Sequence, residues 1–198
     1  MKEKKAHGVQ LLLQAVVRDP DGKIISDTGR KPARSFLIQF LEFIYGMFYF
    51  GAVGYATATD GTEDVIYGPN DAANKNFRVD AALNDAVHGI VVGTGDTAVT
   101  NTDYQLETQI ANGTGAGQLT YGSVTVGGAA VVGANVDLEV KRTFTNGSGD
   151  TITVTEAGIY VEFAGSYYHC IIRDVLAAGI DVPDKCSLSI IYTLRTTV

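Results

Sequence analysis

Short apolar runs, many of them alternating with polar residues, fill most of the chain, and one stretch has a helical period instead. Val9–Val17 and Lys23–Ser26 read as two strands. Between them, Asp19-Pro20-Asp21-Gly22 puts Pro and Gly where a type I turn favours them. Phe36–Phe50 is different. Gln39, Glu42 and Gly46 recur at three- to four-residue spacing, and Phe36, Leu37, Phe40, Leu41, Ile44, Met47 and Phe48 cover the rest. That pattern predicts an amphipathic helix with a wide apolar face. Ser35 is placed to cap it, and Gly51 and Gly54 to end it. Ala52–Asn76 is small and polar, and reads as a long loop with one short strand near Val65–Tyr67. Loops of this length tend to be functional.

From Val87 onward, apolar runs are separated by Gly, Asn, Asp and Thr. The runs are His88–Val92, Gln118–Val126, Val136–Phe144, Thr151–Thr155, Gly158–Phe163, Tyr167–Asp174 and Ser187–Thr196. They predict a mainly β fold: an antiparallel β-sandwich or jelly-roll-like barrel with one N-terminal amphipathic helix. Val136–Phe144 alternates apolar and charged residues, so one face of that strand should be wet. Thr145–Asp150 reads as a hairpin into the next strand. The chain reads as one β-rich domain over 1–198. Residues 1–54 form an N-terminal strand-plus-helix assembly segment, and 87–198 the sandwich core.

Composition narrows the function classes. Hydrophobic residues are 45% and charged residues 19% of the 198, which excludes intrinsic disorder. Two cysteines exclude a disulfide scaffold; Cys170 and Cys186 read as buried thiols. A net charge of −7 disfavours general nucleic-acid binding, so no direct contact with nucleic acid is expected. The charge is uneven. The first fifty residues hold 8 Lys/Arg against 5 acids, and the remainder 7 against 17. A basic arm on an acidic body suits docking onto a second copy. The opening MKEKKAHGVQLLLQAVV imitates a signal peptide, but Gln10 and Gln14 interrupt its apolar run. Glu42 in the middle of Phe36–Val53 argues against a membrane span. No membrane partner is expected.

Candidate chemistry is sparse. Gly89–Ala98 imitates a dinucleotide fingerprint, yet Val99–Tyr104 has no helical period to hold a pyrophosphate. His7, His88, His169 and the two cysteines lack metal-ligand spacing, and His169 and Cys170 point to opposite faces of a strand. Asp60–Asp64 is oxygen-rich without the alternating ligands of a calcium loop. Glu139 and Glu162 read as surface acids, and no nucleophile elbow occurs. No catalytic, cofactor or metal residue is assigned, and no enzyme activity or cofactor is expected.

Several motifs carry a resemblance. They are Gly93-Thr-Gly-Asp-Thr-x-Val99, Asp103-Tyr-x-Leu106, Phe144-Thr-Asn-x-Ser148-Gly and Ile152-Thr-Val-x-Glu156-x-Gly-Ile-Tyr160. Arg173-Asp-Val-Leu176, Val182-Pro with Ser187–Tyr192, and Val17–Gly22 with Arg34–Leu41 extend the set. Together these resemble virion structural proteins of tailed bacteriophages, of the tail- or capsid-associated kind. The resemblance implies a non-enzymatic subunit located in the virion, assembled in the host cytoplasm as a homo-oligomer and with other virion proteins. Seven aromatic residues crowd into Phe36–Phe50, and aromatics at interface centres carry much of the binding energy. The expected interface residues are Arg30, Arg34, Phe36, Phe40, Phe43, Tyr45 and Phe48. The alternative is a receptor- or carbohydrate-binding sandwich of a phage tail, using the Ala56–Asn76 loop with Tyr55 and Tyr67. The absence of Trp for sugar stacking weighs against it.

Overall fold

The computed structural model describes residues 8–33, 36–48, 52–67, 77–163 and 167–197. In chain order the elements are β1 (Gly8–Arg18), β2 (Ile24–Asp27), β3 (Lys31–Ala33), α1 (Ile38–Phe48), β4 (Ala52–Thr57) and β5 (Glu63–Tyr67). Then come β6 (Gly89–Gly93), β7 (Leu119–Tyr121), β8 (Thr125–Val126), β9 (Ala130–Val132) and β10 (Asn135–Asn146). Three long strands finish the chain: β11 (Ile152–Phe163), β12 (Tyr167–Val182) and β13 (Ser187–Thr197). The protein is mainly β, with antiparallel sheets. The cap expected at Ser35, the helix end at Gly51 and the loop residues 68–76 lie outside the described residues.

The larger sheet has the order β2-β1-β13-β10-β7, with β3 beside β1 and β8 and β9 beside β10. The smaller has the order β12-β11-β6, and β4 pairs with β5 alone. Neither sheet closes on itself among the described residues, so the barrel alternative is corrected. The core also reaches beyond 87–198. β1 pairs with β13 along its whole length, from Gly8 opposite Thr197 to Arg18 opposite Ser187. Its Leu11, Leu13, Ala15 and Val17, two residues apart and so on one face, share a hydrophobic cluster with Tyr192, Phe144, Ile159 and Ile172. Strand β1 is part of the central sheet.

Two hairpins share one turn design. Gly22 donates its N–H to Asp19 O and Asp19 its N–H to Lys23 O, each at 3.0 Å. Gly61 donates to Ala58 O at 2.9 Å, and Ala58 to Thr62 O at 2.7 Å. Both glycines have positive φ, +82° and +85°. This is a type I turn closed by a glycine bulge, which continues the strand twist. The second hairpin replaces much of the long loop expected from Ala52. β5 contains the short strand expected near Val65–Tyr67, whereas β4, AVGYAT, is too rich in small residues for the period-2 signal to register.

Thr145–Asp150 is not a hairpin. Strand β10 pairs in the larger sheet and β11 in the smaller, so this segment arches from one layer to the other. Pro183–Cys186 makes a second arch between β12 and β13. Asn146, fully buried, ties the two arches together. Its side-chain N–H groups donate to Asp150 O and Val182 O at 2.7 Å, and its Oδ1 accepts from Ser148. Its backbone exchanges hydrogen bonds with Lys185 and Cys186. Asn146→Ala would strand the buried Val182 carbonyl and remove the ties that join the two arches. It is expected to lower unfolding free energy by about 2 kcal/mol in urea titration; a loss under about 0.5 kcal/mol would show that the arches hold without it.

Candidate functional site

Four stretches of the chain, Gly93–Val99, Asp103–Leu106, Ile152–Tyr160 and the strand around Arg173, meet on the face of β11 and β12 that carries the loop 94–110. Glu156 sits in the middle of an apolar strand run and is wholly buried. Its Oε1 accepts the backbone N–H of Gly95 at 3.1 Å and of Thr108 at 2.8 Å, and its Oε2 that of Glu107 at 3.1 Å. Arg173, 3% exposed, donates Nε to the same carboxylate at 3.0 Å. Its other nitrogens reach Asp103 at 2.7 Å and Thr97 O at 3.3 Å. Glu107 accepts the N–H groups of Asp96 and Thr97. Tyr160 closes the network by accepting the Leu106 N–H on its hydroxyl at 2.6 Å. A buried charge is tolerated only when paired and hydrogen-bonded, and here the loop supplies those partners. The network's product is a rigid loop, because its acceptors and donors are filled from within.

This also explains the fingerprint-like glycines. A Cβ on Gly93 would lie 2.4 Å from Glu156 Oε1 and 2.5 Å from Thr108 O, and one on Gly95 would lie 2.7 Å from Glu156 Oε1. The glycines let the backbone approach a carboxylate of the chain itself. Gly93→Ala is expected to cost about 2 kcal/mol through strain at a packed site, measured by thermal or chemical unfolding. An unchanged midpoint would refute the close-approach role. In the sequence Gly93 and Gly95 read as a glycine turn between two β segments, and Asp103, Glu156 and Arg173 stand only as members of the resemblance motifs. The available signal was a charged residue in the centre of each of two apolar strand runs.

Helix α1 is the second feature. Its first N–H groups are satisfied by the fold: Ile38 donates to Asn101 O and Leu37, just before it, to Ile171 O, both at 3.0 Å. The helix is rotated from the sequence expectation: Leu37 of the expected apolar face is buried, but so is Gln39 of the polar one. Gln39 is 2% exposed, with Nε2 donating to Thr57 O at 3.3 Å. Phe43, one turn on, is 4% exposed and packs edge-on against Phe77, Phe163 and His169 at 5.1–5.5 Å. The polar Gln39 position thus faces inward, while Ile38 and Leu41, 47% and 63% exposed, face out. Tyr45 is 52% exposed on the same stripe.

The seven expected interface residues therefore separate. Phe43 belongs to the interior and is corrected, because the helix is anchored through it. Phe36 and Phe40 stack on each other at 4.3 Å and are half-buried against the core. Arg30 is directed away from the helix, pairing with Asp137 at 3.2 Å and with Glu139. Arg34 lies outside the described residues, and Phe48 ends the helix with its side chain outside them. Ile38 was missed, since an exposed isoleucine cannot be told from a buried one by period alone.

The remaining candidates settle into structural positions. His169 is fully buried, with Nδ1 3.2 Å from Thr57 O and Nε2 3.5 Å from Asp64 Oδ2. Burial holds its ring below the usual histidine range. Burial pushes the Cys170 thiol well up, and Cys170 on β12 and Cys186 in the arch that follows are both free and buried. Asp60–Asp64 begins in the β4–β5 turn, where Asp60 accepts from Thr62. Among the described residues, no group of three His, Cys, Asp or Glu is placed to hold a metal ion. No described helix is long and apolar enough to cross a membrane. These features define a mainly β protein with antiparallel sheets and a self-filled charge network. Compared with protein-family models, curated proteins and solved structures, the chain matches none.

Proposed function

We propose that this chain is a structural subunit of a bacteriophage virion, of the tail, head–tail junction or capsid-associated kind, with a β-sandwich body. It works without catalysis, as a homo-oligomer and with other virion proteins. The motif resemblance supplies the virion assignment. The observation that carries the assembly role is the outward stripe of α1. Ile38 and Leu41 stand in water beside a recess of 330 Å³ lined by Phe36, Phe40, Leu41 and Asn101. Contiguous exposed apolar surface of this kind marks interaction sites. The buried Glu156–Arg173 network supports the same role, since it stiffens a loop and presents no open reacting group.

Light scattering after size exclusion tests the reading. The wild-type chain is expected to elute at a multiple of its 21.0 kDa mass, with the assembled fraction rising with concentration. A monomer at all concentrations, together with absence of the chain from purified phage particles by mass spectrometry, would refute it.

A further inference from the structure

Where α1, β4, β5 and β12 meet, the described residues hold buried acceptors with no donor to match them. Thr57 O is approached by His169 Nδ1 at 3.2 Å and by Gln39 Nε2 at 3.3 Å. A carbonyl only accepts, so Nδ1 carries the ring proton and Nε2 keeps its lone pair. That lone pair faces Asp64 Oδ2 at 3.5 Å. Gln39, which shares the Thr57 carbonyl with His169, adds an amide oxygen to the same corner. His169 Nε2, Asp64 Oδ2 and Gln39 Oε1 are all buried, and none has a hydrogen-bond partner among the described residues. Buried polar atoms are nearly always satisfied, so a group that attracts lone pairs suits this corner.

The spacing narrows the choice. A proton shared between a carboxylate and an imidazole draws the two atoms to about 2.7–2.9 Å. Two ligand atoms on a tetrahedral cation, each at about 2.0–2.2 Å, stand about 3.3–3.6 Å apart. The 3.5 Å between His169 Nε2 and Asp64 Oδ2 fits the cation. The surroundings fit it too. A metal-bound histidine almost always donates its other N–H to a carbonyl, a carboxylate or water, and Thr57 O takes that part here. Phe43 and Phe163 lie edge-on to the ring at 5.1 and 6.1 Å and fix its plane. Burial and then the nearby Asp60 charge hold the Asp64 carboxyl above its ordinary value. Residues 36–67 contain Glu42, Asp60, Glu63 and Asp64 and no Lys or Arg, so that segment brings no cation of its own. The Asp64 side chain is 12% exposed, which opens the corner to ions from solvent. His88 is different. Its Nδ1 lies 3.1 Å from Asp85 and its Nε2 3.8 Å from Glu162, so the two carboxylates address different nitrogens. Arg78 already pairs with Glu162 at 3.2 Å.

We infer that His169 Nε2 and Asp64 Oδ2 together bind a divalent first-row cation of the Zn²⁺ class, with solvent completing its shell. The site is separate from the Glu156–Arg173 network and from the outward stripe of α1, and it does not depend on assembly. Its effect is mechanical. The β4–β5 hairpin pairs with no other described strand, and the ion would fasten β5 to β12 beneath the helix. An ion held only by the folded chain stabilises it by mass action.

The test uses the full chain, stripped with EDTA and titrated with Zn²⁺. Calorimetric titration is expected to show one saturating ion per chain, with a melting temperature that rises on loading and returns after EDTA. Long-range proton–nitrogen NMR spectra are expected to show His169 protonated at Nδ1, with the Nε2 resonance moving on loading. Asp64→Asn keeps the side chain's shape and offers Nε2 an N–H. It should retain its circular dichroism and weaken Zn²⁺ binding at least about tenfold. Asp85→Asn, beside His88, should bind as wild type does. A wild-type chain that takes up no Zn²⁺, or takes it up with the His169 Nε2 resonance unmoved, would overturn the inference and leave the acceptors to water. Binding that survives Asp64→Asn, or that is lost with Asp85→Asn instead, would overturn it as well. Should Asp64→Asn fail to fold, the His169 resonance in the wild-type chain decides the matter by itself.

Discussion

Replacing Arg142 with Leu is expected to lower the unfolding free energy by about 4 kcal/mol or more, the largest effect of any single substitution considered for this fold. Arg142 lies on β10 at an inward-facing position and is fully buried. Its guanidinium donates to five backbone carbonyls. Gly122 O is 2.7 Å away, His88 O and Ile90 O 3.0 Å, and Ala82 O 3.2 Å, and Asp85 O completes the set. The cation also lies over the Tyr121 ring, 4.8 Å from its centroid. Three of these carbonyls lead into β6 and a fourth lies within it, so the side chain fastens the smaller sheet to the larger. Leucine fills part of the space and leaves all five carbonyls without this donor, each carrying a desolvation penalty. Arg142→Lys keeps the charge but has three donors on a point rather than five on a plane, so it should also destabilise strongly. Guanidinium titration reads both. A loss below about 1 kcal/mol for Arg142→Leu would show that the carbonyls find other partners.

The second large effect is expected at Arg173. Arg173→Met strands the Glu156 carboxylate in the interior and should cost about 3–5 kcal/mol, the range for breaking a buried ion pair. Glu156→Gln on the same background removes the stranded charge. The double variant is therefore expected to lose less than the two single losses together. Strict additivity would mean that the two residues do not act as a pair. The network also sets an acid sensitivity. Burial by itself would raise the Asp103 carboxyl, but hydrogen bonds from Thr100 and Arg173 outweigh it and hold it below its ordinary value of 3.8. A carboxyl held low in the folded state gives stability that is complete above the unfolded value and is lost as pH falls through the folded one. Asp137, held low by Arg195, acts in the same direction. His169 begins the loss at higher pH. Its ring is depressed by burial, so the unfolded chain takes up the proton first as pH drops below 6.5. The melting temperature should therefore fall from neutral pH downward, first through His169 and then, below about pH 4, through the carboxylates. Arg173→Met should flatten the lower limb.

The places where sequence reading and structure part have a common form. Thr145–Asp150 has every mark of a hairpin turn, with two strands of the right length on either side. It is an arch because β10 finds β13 and β11 finds β12, and nothing within the segment encodes that choice. Arg142 breaks the apolar–charged alternation of Val136–Phe144 at an inward position. Charge alone suggests water, yet carbonyls that converge from Ala82 to Gly122 make the interior a better solvent for it. Gln39 and Leu41 exchange the environments expected of them because Phe43 anchors the helix. Once Phe43 is inserted beside Phe163 and His169, helix geometry fixes where every other side chain points.

The sequence by itself determined the mainly β character, through alternation and glycine-rich punctuation, and the first hairpin, through Pro20 and Gly22. It also determined which residues on β1 share a face, because strand parity is a local property. Only the tertiary structure decided which strands pair, which sheet each joins, which side of the helix meets water, and that Glu156, Arg173 and Arg142 lie inside. Those outcomes depend on partners tens of residues away in the chain. A local pattern fixes how a segment is shaped and leaves open what it is packed against.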